Sequence, residues 1–237
     1  MVLLLGAGRG LGRSLLRFFL GQQVPVSCVT RTNDSLTSIR REFSKSQHGL
    51  KSEAFDLADR ECTQSMIDSL AAGTNSAGFP VLVVYTAGFL SGRLNFLDEK
   101  ISDIDREIEI NFRAPLYWSW LLSRHFVERG KGGHVFISSG VAPTPRPHWG
   151  GYGIAKGALE ALSAQLALDL PPPLYSLTLN PGGMATDMRR LAYPEEDPTT
   201  LPTADATGEK IGRFCLSLIR DGGRRVNGKR LQIGDLP

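Results

Sequence analysis

The chain has 237 residues, 41% apolar and 22% charged, with a formal charge of +3. This is an ordinary globular composition, long enough to bury a substantial core in one large α/β domain. No apolar run is long enough to span a bilayer, which excludes a membrane-spanning protein. The Lys and Arg residues are scattered rather than gathered in runs, so nothing calls for nucleic acid as a partner.

In chain order, VLLL at 2–5 is a short apolar run stopped by glycines and predicts a buried strand, followed by a helix over GRSLLRFFLG. VPVSCVT at 24–30 predicts a second strand, DSLTSIRREFSKS a helix, LKSEAFDL a strand, DRECTQSMIDSLAAG a helix, and VLVVYT at 81–86 another buried strand. One or two helices are expected over IDREIEINFRAPLYWSWLLSRHFVERG, then a strand in HVFISS. In the next stretch, GGYGIAKGALEALSAQLALDL, Leu159, Leu162, Leu166 and Leu170 recur at helical spacing. LYSLTLN predicts a strand, DATGEKIGRFCLSLIRDGG a helix, and KRLQIG a last strand. The prolines Pro143, Pro145 and Pro147, and Pro171 to Pro173, fall between these elements and mark loops. Alternation of strand and helix from end to end predicts a doubly wound, Rossmann-type α/β domain: a parallel sheet of about seven strands with helices on both faces, over residues 1–237.

Cys28, Cys62 and Cys215 lie far apart with no CxxC pair, which argues against a disulfide framework or a structural zinc site and suits small buried side chains in a reducing compartment. The first 33 residues carry Arg9, Arg13, Arg17 and Arg31 and no acid, as transit peptides do. The same residues also supply a strand and a glycine-rich turn that the fold needs, so a cytoplasmic location is expected.

The turn GAGRGLG follows the first strand and opens a helix. Gly6, Gly10 and Gly12 there let bare backbone approach a pyrophosphate at the positive end of the helix. Tyr152 and Lys156, four residues apart, share one face of their helix. A cation held beside a tyrosine stabilises its phenolate, and an expected fall from a reference pKa near ~10 would bring the phenol toward acid–base work near neutral pH.

A Gly-x-x-x-Gly-x-Gly turn after the first strand, followed much later by Tyr-x-x-x-Lys, resembles the short-chain dehydrogenase/reductases. The resemblance spans nearly the whole chain. FDLAD offers Asp56 and Leu57 for the place beside the adenine, and YTAG keeps Ala87 and Gly88 of the strand-four motif while Tyr85 and Thr86 replace its two asparagines. INFRAPLY supplies the helix asparagine as Asn111, ISSG the serine as Ser139, thirteen residues before Tyr152, and NPGGMATDM the Pro-Gly turn as Pro181 and Gly182, with Thr186. The resemblance implies that Tyr152 moves a proton to or from the substrate oxygen, and that Lys156 lowers its pKa and binds the nicotinamide ribose. It further implies that Ser139 hydrogen-bonds the same oxygen and Asn111 holds a water linking Lys156 to solvent. Gly6, Arg9, Gly10, Leu11, Gly12, Arg31, Asp56, Leu57, Ala87, Gly88, Pro181, Gly182 and Thr186 are then expected to hold the dinucleotide together with Tyr152 and Lys156.

The second strand ends in CVTRTND, with Thr30 and Arg31 and no acid before Asp34, and Arg9 adds a second guanidinium, so NADP(H) is expected over NAD. Around the substrate, Phe89, Leu90, Trp149, Met184 and Met188 are candidate apolar surface, and Arg93, Arg146 and His148 candidate anchors. The expected reaction interconverts a carbonyl and an alcohol of a small molecule. A non-catalytic dinucleotide-binding regulator is the alternative, which has no need of Asn111, Ser139, Tyr152 and Lys156 together. The resemblance also disfavours enoyl reduction, since the branch of the family that performs it usually separates its tyrosine and lysine by more residues. The apolar helices PLYWSWLLSRHF and ALEALSAQLALDL lead to the expectation of a homodimer or homotetramer.

Overall fold

Buried strands in a parallel sheet must be apolar on both sides, because successive side chains point to opposite faces and helices cover each. The apolar runs meet that demand. In a computed structural model describing residues 1–44, 49–72 and 78–237, they form β1 (Val2–Leu5), β2 (Val26–Thr30), β3 (Leu50–Ala54), β4 (Leu82–Tyr85), β5 (Gly133–Ile137), β6 (Tyr175–Asn180) and β7 (Arg230–Gln232). These strands pair in parallel throughout, in the order β3-β2-β1-β4-β5-β6-β7, with Val2 opposite both Val26 and Leu82.

The helices are α1 (Gly10–Gly21), α2 (Asn33–Glu42), α3 (Arg60–Ala71), α4 (Ile101–Ile108), α5 (Ala114–Arg129), α6 (Gly150–Asp169), α7 (Asp187–Ala192) and α8 (Ala204–Asp221). Leu4 packs on one face with Leu15, Leu16 and Phe19 of α1 and Ile211 and Phe214 of α8. Leu3 and Leu5 pack on the other with Met66, Ile67 and Leu70 of α3 and Trp118, Leu122 and Phe126 of α5. Each such fully buried side chain contributes about 1.5–3 kcal/mol of transfer free energy, so the two layers are held mainly by apolar burial.

Local chemistry sets the helix ends. The Thr32 hydroxyl accepts from the Ser35 amide at 3.2 Å and starts α2, and Asp59 accepts from the Cys62 amide at 2.9 Å and starts α3. The expected helix ends Lys45–Ser46 and Gly73 lie outside the described residues. Between 104 and 130 the chain forms α4 and α5 joined by a π-helical turn, Glu109–Arg113. The last strand is shorter than expected: Ile233–Asp235 is a 3₁₀ turn, closed by the Gln232 amide donating to the Asp235 carboxylate at 2.7 Å. The three cysteines are free, and burial pushes the thiols of Cys28 and Cys215 up to about 12, leaving them inert apolar filler. No helix among the described residues is long and apolar enough to cross a membrane.

Tyr85 and Thr86, which stand where the resemblance led us to expect asparagines, support the central strands in their own way. The Thr86 hydroxyl donates to Leu5 O at 2.9 Å and lies 3.2 Å from Gly6 O, tying β4 to the turn after β1. The Tyr85 hydroxyl is 3.0 Å from His134 Nδ1, and His134 Nε2 is 2.9 Å from the Ser123 hydroxyl. Burial drives His134 down to about 3, so this chain is a neutral internal strut between the sheet and α5.

Candidate active site

The strand order reverses between β1 and β4, and in such sheets the crevice beyond the carboxyl ends at that point is where ligands bind. A cleft of about 740 Å³ opens there, from the end of β2 to the first turn of α6. Its floor is the glycine turn. Gly6 has φ +105°, and a Cβ on it would stand 2.5 Å from the Ala87 amide nitrogen; one on Gly12 would stand 2.1 Å from Gly6 O. Only glycine permits this packing of strand, turn and helix. Arg9 caps α1 without a side-chain hydrogen bond, so no side chain caps the first-turn amides of that helix.

Gly6, Arg9, Gly10, Leu11, Arg31, Asp56, Leu57, Ala87, Gly88, Ser139, Tyr152, Lys156, Pro181, Gly182 and Thr186 all line this cleft. Gly12 and Asn111 do not. Gly12 sits behind the turn. Asn111 is fully buried within the π-helical turn and grips the loop after β4, its Nδ2 donating to Phe89 O at 2.7 Å and Glu107 O at 2.9 Å while Oδ1 accepts from Phe89 N at 3.2 Å. Both amide protons are engaged, leaving one Oδ1 lone pair for any water. Phe89, Leu90, Trp149, Met184 and Met188 also line the cleft, whereas Arg93, Arg146 and His148 do not. Arg93 stacks on Trp149 and Tyr193, 5.4 and 4.5 Å from their ring centres, and donates to Ala192 O at 3.3 Å. It fastens the loop after β4 to α7.

At the β2 end, Arg9 and Arg31 are joined by Arg13, Thr32 and Ser35. Arg13 was within reach of sequence reading, since it lies one helical turn from Arg9. Arg106 of α4 was not: it comes from 50 residues away to donate to Asp56 Oδ2. Burial pushes the Asp56 carboxyl up, but the Ala58 amide, Arg106 and Arg31 outweigh it and hold the group below its ordinary value.

At the other end, Tyr152 and Lys156 are both buried and the lysine Nζ lies 5.6 Å from the phenol ring centre. Its ammonium donates to Ile137 O at 2.9 Å. The neighbouring residues at the end of β5 are gripped as well. Ser138 donates to Glu160, and Arg230 of β7 donates to Glu160 Oε1 at 2.8 Å and to Ser139 O at 3.2 Å. Arg230 carried no sequence signal, whereas Glu160 was within reach, one helical turn beyond Lys156.

The expectation that Lys156 depresses the tyrosine is corrected here. Burial pushes the Tyr152 phenol up to about 12, the Ser139 hydroxyl pulls against it, and the Glu107 charge pushes it higher. Burial brings Lys156 down to about 8, with Glu160 opposing. In each case the penalty for desolvating the charged form is the largest cause. Among the described residues no group of three or more His, Cys, Asp or Glu could hold a metal ion.

Residues 1–197 match the family model for short chain dehydrogenases, and the chain belongs to that family. It is 28% identical to the uncharacterized oxidoreductase YciK of Escherichia coli (strain K12) over 232 residues, 96% of this chain and 89% of that protein. It is 30% identical to a D-erythrulose reductase of Gallus gallus, over 81% of this chain and 74% of the relative. A short chain dehydrogenase of Escherichia coli CFT073 complexed with NADPH superposes with a TM-score of 0.87 at 24% identity, covering 98% of this chain and 95% of that one. At that identity the match bears on the fold alone.

Proposed function

We propose that the chain is a single catalytic domain that interconverts a carbonyl and an alcohol with NADP(H), using Tyr152, Lys156 and Ser139. The observation carrying this reading is one continuous cleft with an uncapped helix start and a cluster of arginines at one end and buried Tyr152 and Lys156 beside half-buried Ser139 at the other. The donor set suits a 2′-phosphate: Arg31 and Arg13 flank the end of β2, and Arg9 is held only by an exposed 3.5 Å pair with Asp187. Such a pair contributes about 0–1 kcal/mol, so Arg9 can exchange it for phosphate. NADPH is named in the relative carbonyl reductase of Sus scrofa, and NADP in a short chain dehydrogenase of Shigella flexneri.

Bound NADPH would supply hydride to the carbonyl carbon. Tyr152 gives its phenolic proton to the carbonyl oxygen, Ser139 donates a hydrogen bond to the same oxygen, and Lys156 serves the ribose and returns charge balance to the phenol. Asn111 acts by fixing the Phe89 loop. Leu90, Trp149 and Met188 line the substrate end, and Arg189 beside them is paired with Glu196, which favours a neutral substrate with apolar groups flanking its carbonyl. Exposed Leu116, Trp120 and Val127 on α5, with Ile154 and Leu168 on α6, favour a homodimer or homotetramer, and the cytoplasm as its location suits three free thiols. The test is NADPH absorbance with purified protein against a panel of ketones, aldehydes and alcohols. Turnover of none of them, with NADPH bound, would favour the non-catalytic regulator.

A further inference from the structure

Glu107 has no place in the chemistry above, yet it is the one carboxylate of α4 that is completely buried, with 0% of its surface exposed. Its Oε1 accepts from both the amide and the hydroxyl of Ser91, each at 2.8 Å, and so holds the loop after β4. Its Oε2 makes no close hydrogen bond, although the Tyr152 amide faces the carboxyl and pulls its proton affinity down. That oxygen is turned to the start of α6: a Cβ on Gly151 would stand 2.7 Å from it. Glycine at 151 is therefore what allows the carboxylate to approach the residue preceding Tyr152. A second acid works beside it, Glu99, whose Oε2 accepts from the Gly151 amide at 3.2 Å. Trp149 gives α6 no side-chain cap, so its first turn is held from outside by acids of the loop and helix that precede it.

We propose that Glu107 is a positioning residue for Tyr152: it clamps the Ser91 loop to the first turn of α6 and places a carboxylate within electrostatic range of the phenol. This rests on reading Tyr152 as the proton carrier. What the charge supplies is opposition to ionisation of the phenol. The groups facing Tyr152 are Ser139 from β5, Lys156 from α6 and Glu107 from α4, with the uncharged Trp149 ring 5.5 Å away. Of these, Glu107 alone is an acid. Those facing Glu107 are Ser91, Glu99 and the Tyr152 amide; burial first, and then Glu99, push its carboxyl above the ordinary range, while Ser91 and that amide pull it down.

A reduction that takes its proton from Tyr152 fails as the phenol ionises, so kcat/KM must fall at alkaline pH. Removing the Glu107 charge makes the phenol easier to ionise and brings that fall to lower pH. For one nearby charge at a partly screened site, the movement is roughly one pH unit. The experiment is the pH dependence of kcat/KM for Glu107→Gln and Glu107→Asp, with NADPH affinity measured on the same samples. Glu107→Gln is expected to keep NADPH binding within about twofold and to move the alkaline limb roughly one unit toward acid. Glu107→Asp, which retains the charge and shortens the clamp, is expected to leave the limb in place and lower kcat. An unmoved limb in Glu107→Gln, or the same shift in both variants, overturns the proposal. Should Glu107→Gln not fold, Glu107→Asp decides alone: lowered kcat with an unmoved limb supports the proposal, and undiminished kcat overturns it. If Tyr152→Phe itself turns over normally, the proton-carrier reading falls; if Tyr152→Phe is inactive and the Glu107→Gln limb stays put, only the present proposal falls.

Discussion

Replacing Lys156 by methionine should separate what the lysine does for function from what it does to stability. The side chain is 4% exposed, and its proton affinity corresponds to about 8 rather than its ordinary 10.5. At about 1.4 kcal/mol per tenfold change, holding it charged in the fold is unfavourable by about 3 kcal/mol. Methionine fills nearly the same volume without charge but gives up the 2.9 Å hydrogen bond to Ile137 O, a loss of about 1 kcal/mol. The net expectation is a gain of about 2 kcal/mol at pH 7, or about 4–8 °C in the thermal midpoint for a chain of this size. Between about 8 and 10.5 the unfolded chain holds more protons at this position than the folded one, so stability of the unmodified protein rises with pH across that window. The methionine variant lacks the rise. Its advantage should be full below about pH 8, vanish before about pH 10.5 and become a deficit of about 1 kcal/mol above it, where only the lost hydrogen bond remains. Thermal unfolding of both proteins at pH 7 and at the alkaline end checks this, with NADPH titration and turnover on the same samples expected to fall together. A methionine variant less stable at pH 7, or a gap that does not change with pH, would refute the reasoning.

Arg31→Asp is expected to weaken NADPH binding by ~10- to 100-fold, the range for a lost charge-assisted contact, and to leave NADH binding unharmed or improved; fluorescence titration with both cofactors reads it. Ser139→Ala should spare NADPH affinity and lower kcat, since the hydroxyl faces the phenol and not the glycine turn. Arg230→Met removes the donor to both Glu160 and Ser139 O, and should lower kcat by several-fold with little change in the NADPH dissociation constant, measured side by side. Light scattering of the unmodified protein is expected to give two or four subunits; a clean monomer would contradict the role given to the exposed faces of α5 and α6.

What could be read from sequence was what depends on neighbours along the chain. The glycine turn, its position after an apolar strand, and the Tyr152–Lys156 spacing each follow from local backbone geometry, and the cleft does bring them together. Gly12 and Asn111 were legible as residues but not as places, because a packing glycine and a lining glycine have the same sequence signature, and a π-helical turn announces itself by no periodicity. Arg106, Glu107 and Arg230 were invisible for a different reason. Each enters the site from an element distant in sequence, and its partner is fixed only when the whole sheet is assembled. The proton affinities of Tyr152 and Lys156 failed to follow from their spacing because burial, a property of the whole fold, outweighs a single nearby charge.

The central claim is that Tyr152 carries the proton, and the matched pair of kcat and NADPH affinity for Tyr152→Phe tests it most directly, on a carbonyl substrate the unmodified protein reduces. Only a hydroxyl is lost, so the fold and NADPH affinity should be retained while kcat falls at least ~100-fold, as for a removed acid–base group. An undiminished kcat would make Tyr152 an ordinary buried residue at the start of α6 and contradict the account.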